Sequence, residues 1–171
     1  ATAEQVAEVV LGNEADVDLA VAAAKTAFEH FSKTSKSERL ALLRRIRVVS
    51  ERRFEELAQA MRLEMGAPIT MAREAQADAA IGHLDGFIEA LEKLEEQERF
   101  ENGEVVLKEP IGVCGLITPW NWPINQVVLK VLPVIATGCT CVLKPSEHTP
   151  VSAMLYAEIL DEAGGPAGGF N

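Results

Sequence analysis

The chain has 171 residues, 48% hydrophobic and 25% charged, with a formal net charge of −10. That composition suits a globular domain in water, and the acidic balance argues against a nucleic-acid binder, which needs a basic face. No apolar run reaches the length of a membrane span. Ala1 to Gln5 lack the basic and apolar regions of a secretory leader, and three cysteines make no disulfide framework, so a reducing cytoplasm is the expected home.

Charge divides the chain. Residues up to 109 are densely charged, whereas residues 110–171 hold only Lys130, Lys144, Glu147, Glu158, Asp161 and Glu162. The first part reads as a helical layer with one wet face. The second reads as buried parallel strands with covering helices.

In chain order, Asn13 predicts a helix N-cap, with Glu14 and Asp16 in the first turn where the helix dipole favours acids. Val17, Ala20, Val21, Ala24, Ala27, Phe28 and Phe31 then recur at helical spacing. Ser35 and Glu38 match a capping box and predict one long helix, ended by Gly66 and Pro68. A third helix is expected from about Ala72 to Leu94, and an imperfect strand over Glu104–Glu109. Two short apolar runs follow, Gly112–Ile117 and Thr140–Leu143, joined by a helix from about Pro123 to Thr137 that Gly138 closes. Thr149 is expected to cap a last helix from Pro150 to about Ala163. The order strand, helix, strand, helix predicts an α/β fold with parallel strands and right-handed crossovers.

In such a sheet, ligands sit at the carboxyl ends of the strands. The two loops there are Thr118-Pro119-Trp120-Asn121-Trp122-Pro123 and Lys144-Pro145-Ser146-Glu147. A rigidly held Asn121 amide could donate to a developing oxyanion; on pattern alone, a turn-former is the better reading. Lys144 and Glu147 could hold the sugar hydroxyls of a nucleotide, and a surface ion pair accounts for them equally well. Arg44, Arg45, Arg47, Arg52 and Arg53 alternate with Glu51, Glu55 and Glu56, which reads as a solvated face with ion pairs. His30, His83 and His148 are scattered, so no metal site is expected. Cys114, Cys139 and Cys141 lie in or beside strands and are expected to be inert. The glycine-rich run at 164–169 follows a helix and reads as a C-cap and turn, not a phosphate loop.

The segment Leu116-Ile117-Thr118-Pro119-Trp120-Asn121-Trp122-Pro123, followed by Val142-Leu143-Lys144-Pro145-Ser146-Glu147-His148-Thr149-Pro150, resembles the NAD(P)-dependent aldehyde dehydrogenase family. The resemblance extends to residues 16–24 and 64–68 and covers essentially the whole chain. It implies an N-terminal helical layer followed by the start of a parallel-sheet, Rossmann-like cofactor-binding domain. Residues 1–103 would be its helical part, 104–109 a strand of the oligomerisation element, and 110–171 an incomplete first βαβα segment. It implies that Asn121 helps form the oxyanion hole, that Ile117, Thr118, Pro119 and Trp120 lie along the cofactor, and that Lys144 and Glu147 bind the adenosine ribose. A carboxylate on the 2′-hydroxyl repels a 2′-phosphate, so Glu147 favours NAD, with NADP as a second option.

Trp122, Cys139, Cys141 and Ala67 depart from the commonest family pattern without touching these roles. The family's catalytic cysteine, general-base glutamate and second cofactor loop would fall beyond Asn171. The chain is therefore expected to be the N-terminal part of a longer oxidoreductase, inactive alone. The parent would oxidise an aldehyde to a carboxylic acid through a covalent thiohemiacetal, as a homodimer or homotetramer. Two alternatives are a non-catalytic nucleotide-binding or assembly module and a sister acyl-phosphate or acyl-CoA reductase.

Overall fold

A computed structural model describes Gln5 and residues 7–171. The reading of a leader's absence rests largely on Ala1 to Glu4, outside the described residues. Helix α1, Glu14–Phe31, starts in a capping box: the Asn13 side chain accepts from Ala15 N at 2.8 Å, and Asp16 accepts from Asn13 N at 2.8 Å. Helix α2, Lys36–Arg52, starts in another, with Glu38 accepting from Ser35 N at 2.8 Å. Each box satisfies donors that the first turn leaves orphaned.

The long helix expected after Ser35 is in fact two. Arg53 leaves the helical region (φ −95°, ψ 16°), and α3, Phe54–Met65, sets off anew to Gly66 at φ 76°. No glycine or proline marks the break. Its benefit is tertiary: the Arg53 guanidinium donates to Glu56 and to Glu158 of the last helix, both at 2.8 Å. The helix expected from Ala72 begins earlier, with a short turn α4, Ile69–Met71. It continues through a π turn, Ala72–Ala77, into α5, Asp78–Lys93. The π turn carries the Gln76 side chain inward, where its amide donates to Met65 Sδ at 3.1 Å.

The strand expected over 104–109 is shorter, β2, Val105–Leu107. It pairs antiparallel with β1, Gln97–Arg99, a strand inside the stretch expected to be helical. The Gln-Glu-Arg sequence of β1 carries no apolar alternation, so nothing local announces a strand. Val105, Val106 and Leu107 are exposed on this hairpin.

The β-α-β unit is as expected. Strand β3, Val113–Ile117, lies parallel to β4, Thr140–Lys144, in register from Val113↔Thr140 to Ile117↔Lys144. Helix α6, Pro123–Ala136, joins them, and α7, Pro150–Glu162, follows. Residues 169–171 add to the free side of β4: Cys141 N donates to Gly169 O at 3.0 Å and Leu143 N to Asn171 O at 2.7 Å. Alternate side chains address opposite faces. Thr140 donates to Ala24 O of α1 at 2.8 Å, while Cys141 packs with Val134 of α6. The sheet thus lies between α1 and α6. Helix α6 is apolar nearly all round, and its Ile124, Val127, Val128, Val131 and Leu132 lie in the main core with Leu43, Ile46, Leu57, Met61, Leu84 and Tyr156. The turn after α7 needs glycine: Gly168 has φ 72°, and a Cβ there would sit 2.9 Å from Ala23 O.

Candidate active site

Both candidate loops leave the same end of the β3–β4 pair. Ile117 and Lys144 are register partners, and Thr118 N donates to Lys144 O at 3.3 Å, extending the ladder one step past the strands. Beyond it the chains diverge, and each loop presents its side chains at the carboxyl end of the sheet. Thr118 is buried, Ile117 is 75% exposed, Pro119 is exposed and Trp120 is 52% exposed. Asn121 is exposed, and Trp122 is half-buried at the N-cap of α6. Pro123 at the first helical position lacks the N–H that would otherwise be orphaned. The loop therefore sits on a helix packed in the core, which gives Asn121 a rigid base.

The second loop is bracketed by β4 and α7. Lys144 Nζ donates to Glu147 at 2.9 Å, with both side chains more than half exposed. That hydrogen bond, with the nearby ammonium, holds the Glu147 carboxyl below its ordinary range. The pair is a surface ion pair as it stands, and its exposed donors and acceptor also suit sugar hydroxyls. Ser146 is buried; its Oγ accepts from His148 N at 3.2 Å and its carbonyl from Thr149 N at 3.1 Å.

Thr149 does not cap α7 with its side chain, contrary to the sequence expectation. The cap comes from Glu64 in the last turn of α3, which accepts from Val151 N at 2.7 Å, Ser152 N at 3.1 Å and the Ser152 hydroxyl. Burial pushes the Glu64 carboxyl up, and the bonds from Ser152 and Val151 act the other way. No sequence signal pairs Glu64 with residues so far along the chain.

The cysteines offer no nucleophile here. Cys139 and Cys141 are buried and Cys114 is partly so. Burial pushes the Cys141 thiol up to about 12 and raises Cys114 as well, and thiols of that kind are poor nucleophiles at neutral pH. Cys114 also pairs with Cys141 three positions before Ile117, away from the loop end. Among the described residues no cluster of His, Cys, Asp or Glu could hold a metal ion. His83 instead meets the Asn125 side chain of α6 at 2.7 Å. Arg44, Arg47, Arg52 and Arg53 make ion pairs as expected, but several partners lie on other helices, Arg44 to Glu92, Arg47 to Asp85 and Arg52 to Glu162, while Arg45 makes no ion pair among the described residues and donates to Ala163 O at 2.7 Å. Arg39, absent from the sequence reading, is buried and donates to Ala136 O at 2.9 Å, to Thr34 O and to Glu96.

Comparison with known proteins places the chain in a family. All residues, 1–171, match the model of the aldehyde dehydrogenase family, and the chain belongs to that family. It is 49% identical over 172 residues to 3-succinoylsemialdehyde-pyridine dehydrogenase of a Pseudomonas species, covering 100% of this chain and 36% of that protein. The chain thus spans about a third of the length of the curated relatives it matches, and those from Staphylococcus aureus give the same share, 36%. Among solved structures, a mutant of aldehyde dehydrogenase C from Pseudomonas syringae, in complex with NAD+ and octanal, superposes with a TM-score of 0.95 at 50% identity. That match covers 98% of this chain and 34% of the other. Aldehyde dehydrogenase from Bartonella henselae superposes with a TM-score of 0.92 at 49% identity, covering 94% and 34%.

Proposed function

We propose that the protein carrying this chain is an NAD(P)-dependent aldehyde dehydrogenase that converts an aldehyde, water and NAD+ to a carboxylic acid, NADH and a proton. The observation that carries this reading is the register partnership of Ile117 and Lys144, which brings the Trp120-Asn121 loop and the Lys144–Glu147 pair to one end of the sheet. The complex of aldehyde dehydrogenase C with NAD+ and octanal supports it. Asn121 donates its amide to the oxygen that becomes anionic when a thiolate adds to the aldehyde. Ile117, Thr118, Pro119 and Trp120 form the wall along the cofactor. Lys144 donates to the adenosine ribose and Glu147 accepts from its 2′-hydroxyl, which favours NAD over NADP. The cofactor supplies the hydride acceptor. The nucleophilic thiol is none of the three cysteines here.

Residues 1–103 serve as the helical part of the cofactor-binding domain except for β1, which joins β2 in the oligomerisation element at 104–109, and 110–171 serve as the first part of the Rossmann-like sheet. The exposed Val105, Val106 and Leu107 suit burial in a homodimer or homotetramer. No described helix is long and apolar enough to cross a membrane, and with free thiols throughout we place the protein in the cytoplasm.

In the full-length protein, Asn121→Ala should lower aldehyde turnover by about 100-fold or more, as loss of one oxyanion donor does, with NAD binding little changed. Steady-state NADH formation and NAD titration check this. Unchanged turnover would make Asn121 a turn-former only.

A further inference from the structure

Helix α7 begins immediately after the loop that carries Lys144 and Glu147, and its first turn is satisfied from outside. Pro150 has no N–H, and Thr149 gives no side-chain cap. The Val151 and Ser152 N–H groups and the Ser152 hydroxyl all donate to Glu64. Glu64 itself stands in the last turn of α3, the end of a helix where the dipole disfavours an acid. Half-buried there, it gains nothing from its own helix; the positive end of α7 compensates it. At its other end the loop is held by the β3–β4 register, down to Ile117↔Lys144. Between these anchors the loop is shaped internally by the bonds to Ser146 and the Lys144–Glu147 pair. Where Glu147 stands therefore depends on where α7 starts, and Glu64 sets that start.

We propose that Glu64 is a positioning residue for dinucleotide binding: by capping α7 from α3 it holds the Lys144–Glu147 loop in the geometry that receives the ribose. This rests on the ribose reading of that pair. It makes no claim that Glu64 touches the cofactor. A neutral glutamine can accept through one oxygen only and turns an NH2 group toward the donors of α7, so the loop loses its fixed start.

The test uses the full-length protein with NAD+ as the probe. Glu64→Gln should raise the NAD+ dissociation constant by about tenfold, the scale of a lost helix cap. Turnover at saturating NAD+ and the aldehyde KM should stay within about twofold, because the cap acts on the cofactor loop alone. In a Glu147→Gln background the same change should add less than about twofold, since the group it positions is already gone. Unchanged NAD+ affinity, an equal loss in every parameter, or full additivity with Glu147→Gln would overturn the proposal. If Glu64→Gln does not fold, Ser152→Ala decides. It keeps the carboxylate and should weaken NAD+ by about two- to threefold; no change would again overturn it. If Glu147→Gln alone leaves NAD+ binding untouched, the ribose reading fails and takes this inference with it. If Glu147→Gln weakens NAD+ and Glu64→Gln does not, only the inference falls.

Discussion

The exposed Lys144 ammonium donates to Glu147 at 2.9 Å and, with a backbone N–H, lowers its carboxyl below the ordinary range. Exposed pairs of this kind contribute little to stability, so its value lies in what the carboxylate can accept. Glu147→Gln in the full-length protein should therefore leave stability nearly unchanged and weaken NAD+ more than NADP+, because the repulsion of a 2′-phosphate disappears with the charge. Paired titrations with the two cofactors check this; equal effects would remove the ribose role. Neither the capping role of Glu64 nor the burial of Arg39 could be read at this scale. A charged residue reads as solvated unless a distant partner is known, and both partners lie tens of residues away.

The elements that sequence describes well are those with local instructions. Both capping boxes, the Pro123 and Pro150 helix starts and the β3–β4 parallel pair agree with the residues that predict them. The elements it misses are those whose boundaries answer to neighbours. Arg53 breaks a helix so that α3 can lie against α7, and the polar β1 becomes a strand only because β2 returns beside it. Arg39 ties three such elements together, reaching the end of α1, the last turn of α6 and the entry to the hairpin. Its replacement by alanine should cost about 2 kcal/mol, since two carbonyls lose a buried donor while the exposed Glu96 carboxylate returns to water. Arg39→Lys should recover only part, because a point ammonium cannot serve the fork. Denaturant unfolding of the full-length variants measures both, and a loss below about 0.5 kcal/mol would mean that water replaces the guanidinium.

At the scale of the whole molecule, the helical layer and the sheet share one core, in which α6 packs against α2, α5 and α7 and covers the β3–β4 face. A cleft of about 370 Å³ between Arg39, Glu96, Lys108 and Thr137 opens at the amino ends of the strands, away from the two loops. The thiols lie in or beside the two parallel strands, with Cys139 and Cys141 in the packing. We therefore expect the purified 171 residues to form no NADH from any aldehyde; NADH formation abolished by Cys114→Ser would show that a sheet thiol is the nucleophile after all.

Local order came from the sequence alone: where most helices start, that the strands run parallel, that the two motif loops leave one end of the sheet, and which family those motifs resemble. Capping, periodicity and turn chemistry act between residues a few positions apart, so they are written in short stretches of chain. The break at Arg53, the pairing of Gln97–Arg99, the grip of Glu64 on α7 and the burial of Arg39 were decided only by the tertiary structure. All but the Gln97–Arg99 pairing, a hairpin between near neighbours, rest on polar contacts between residues remote in sequence. Polar side chains carry no periodicity that reveals such a partner until the apolar faces have packed and brought the two together.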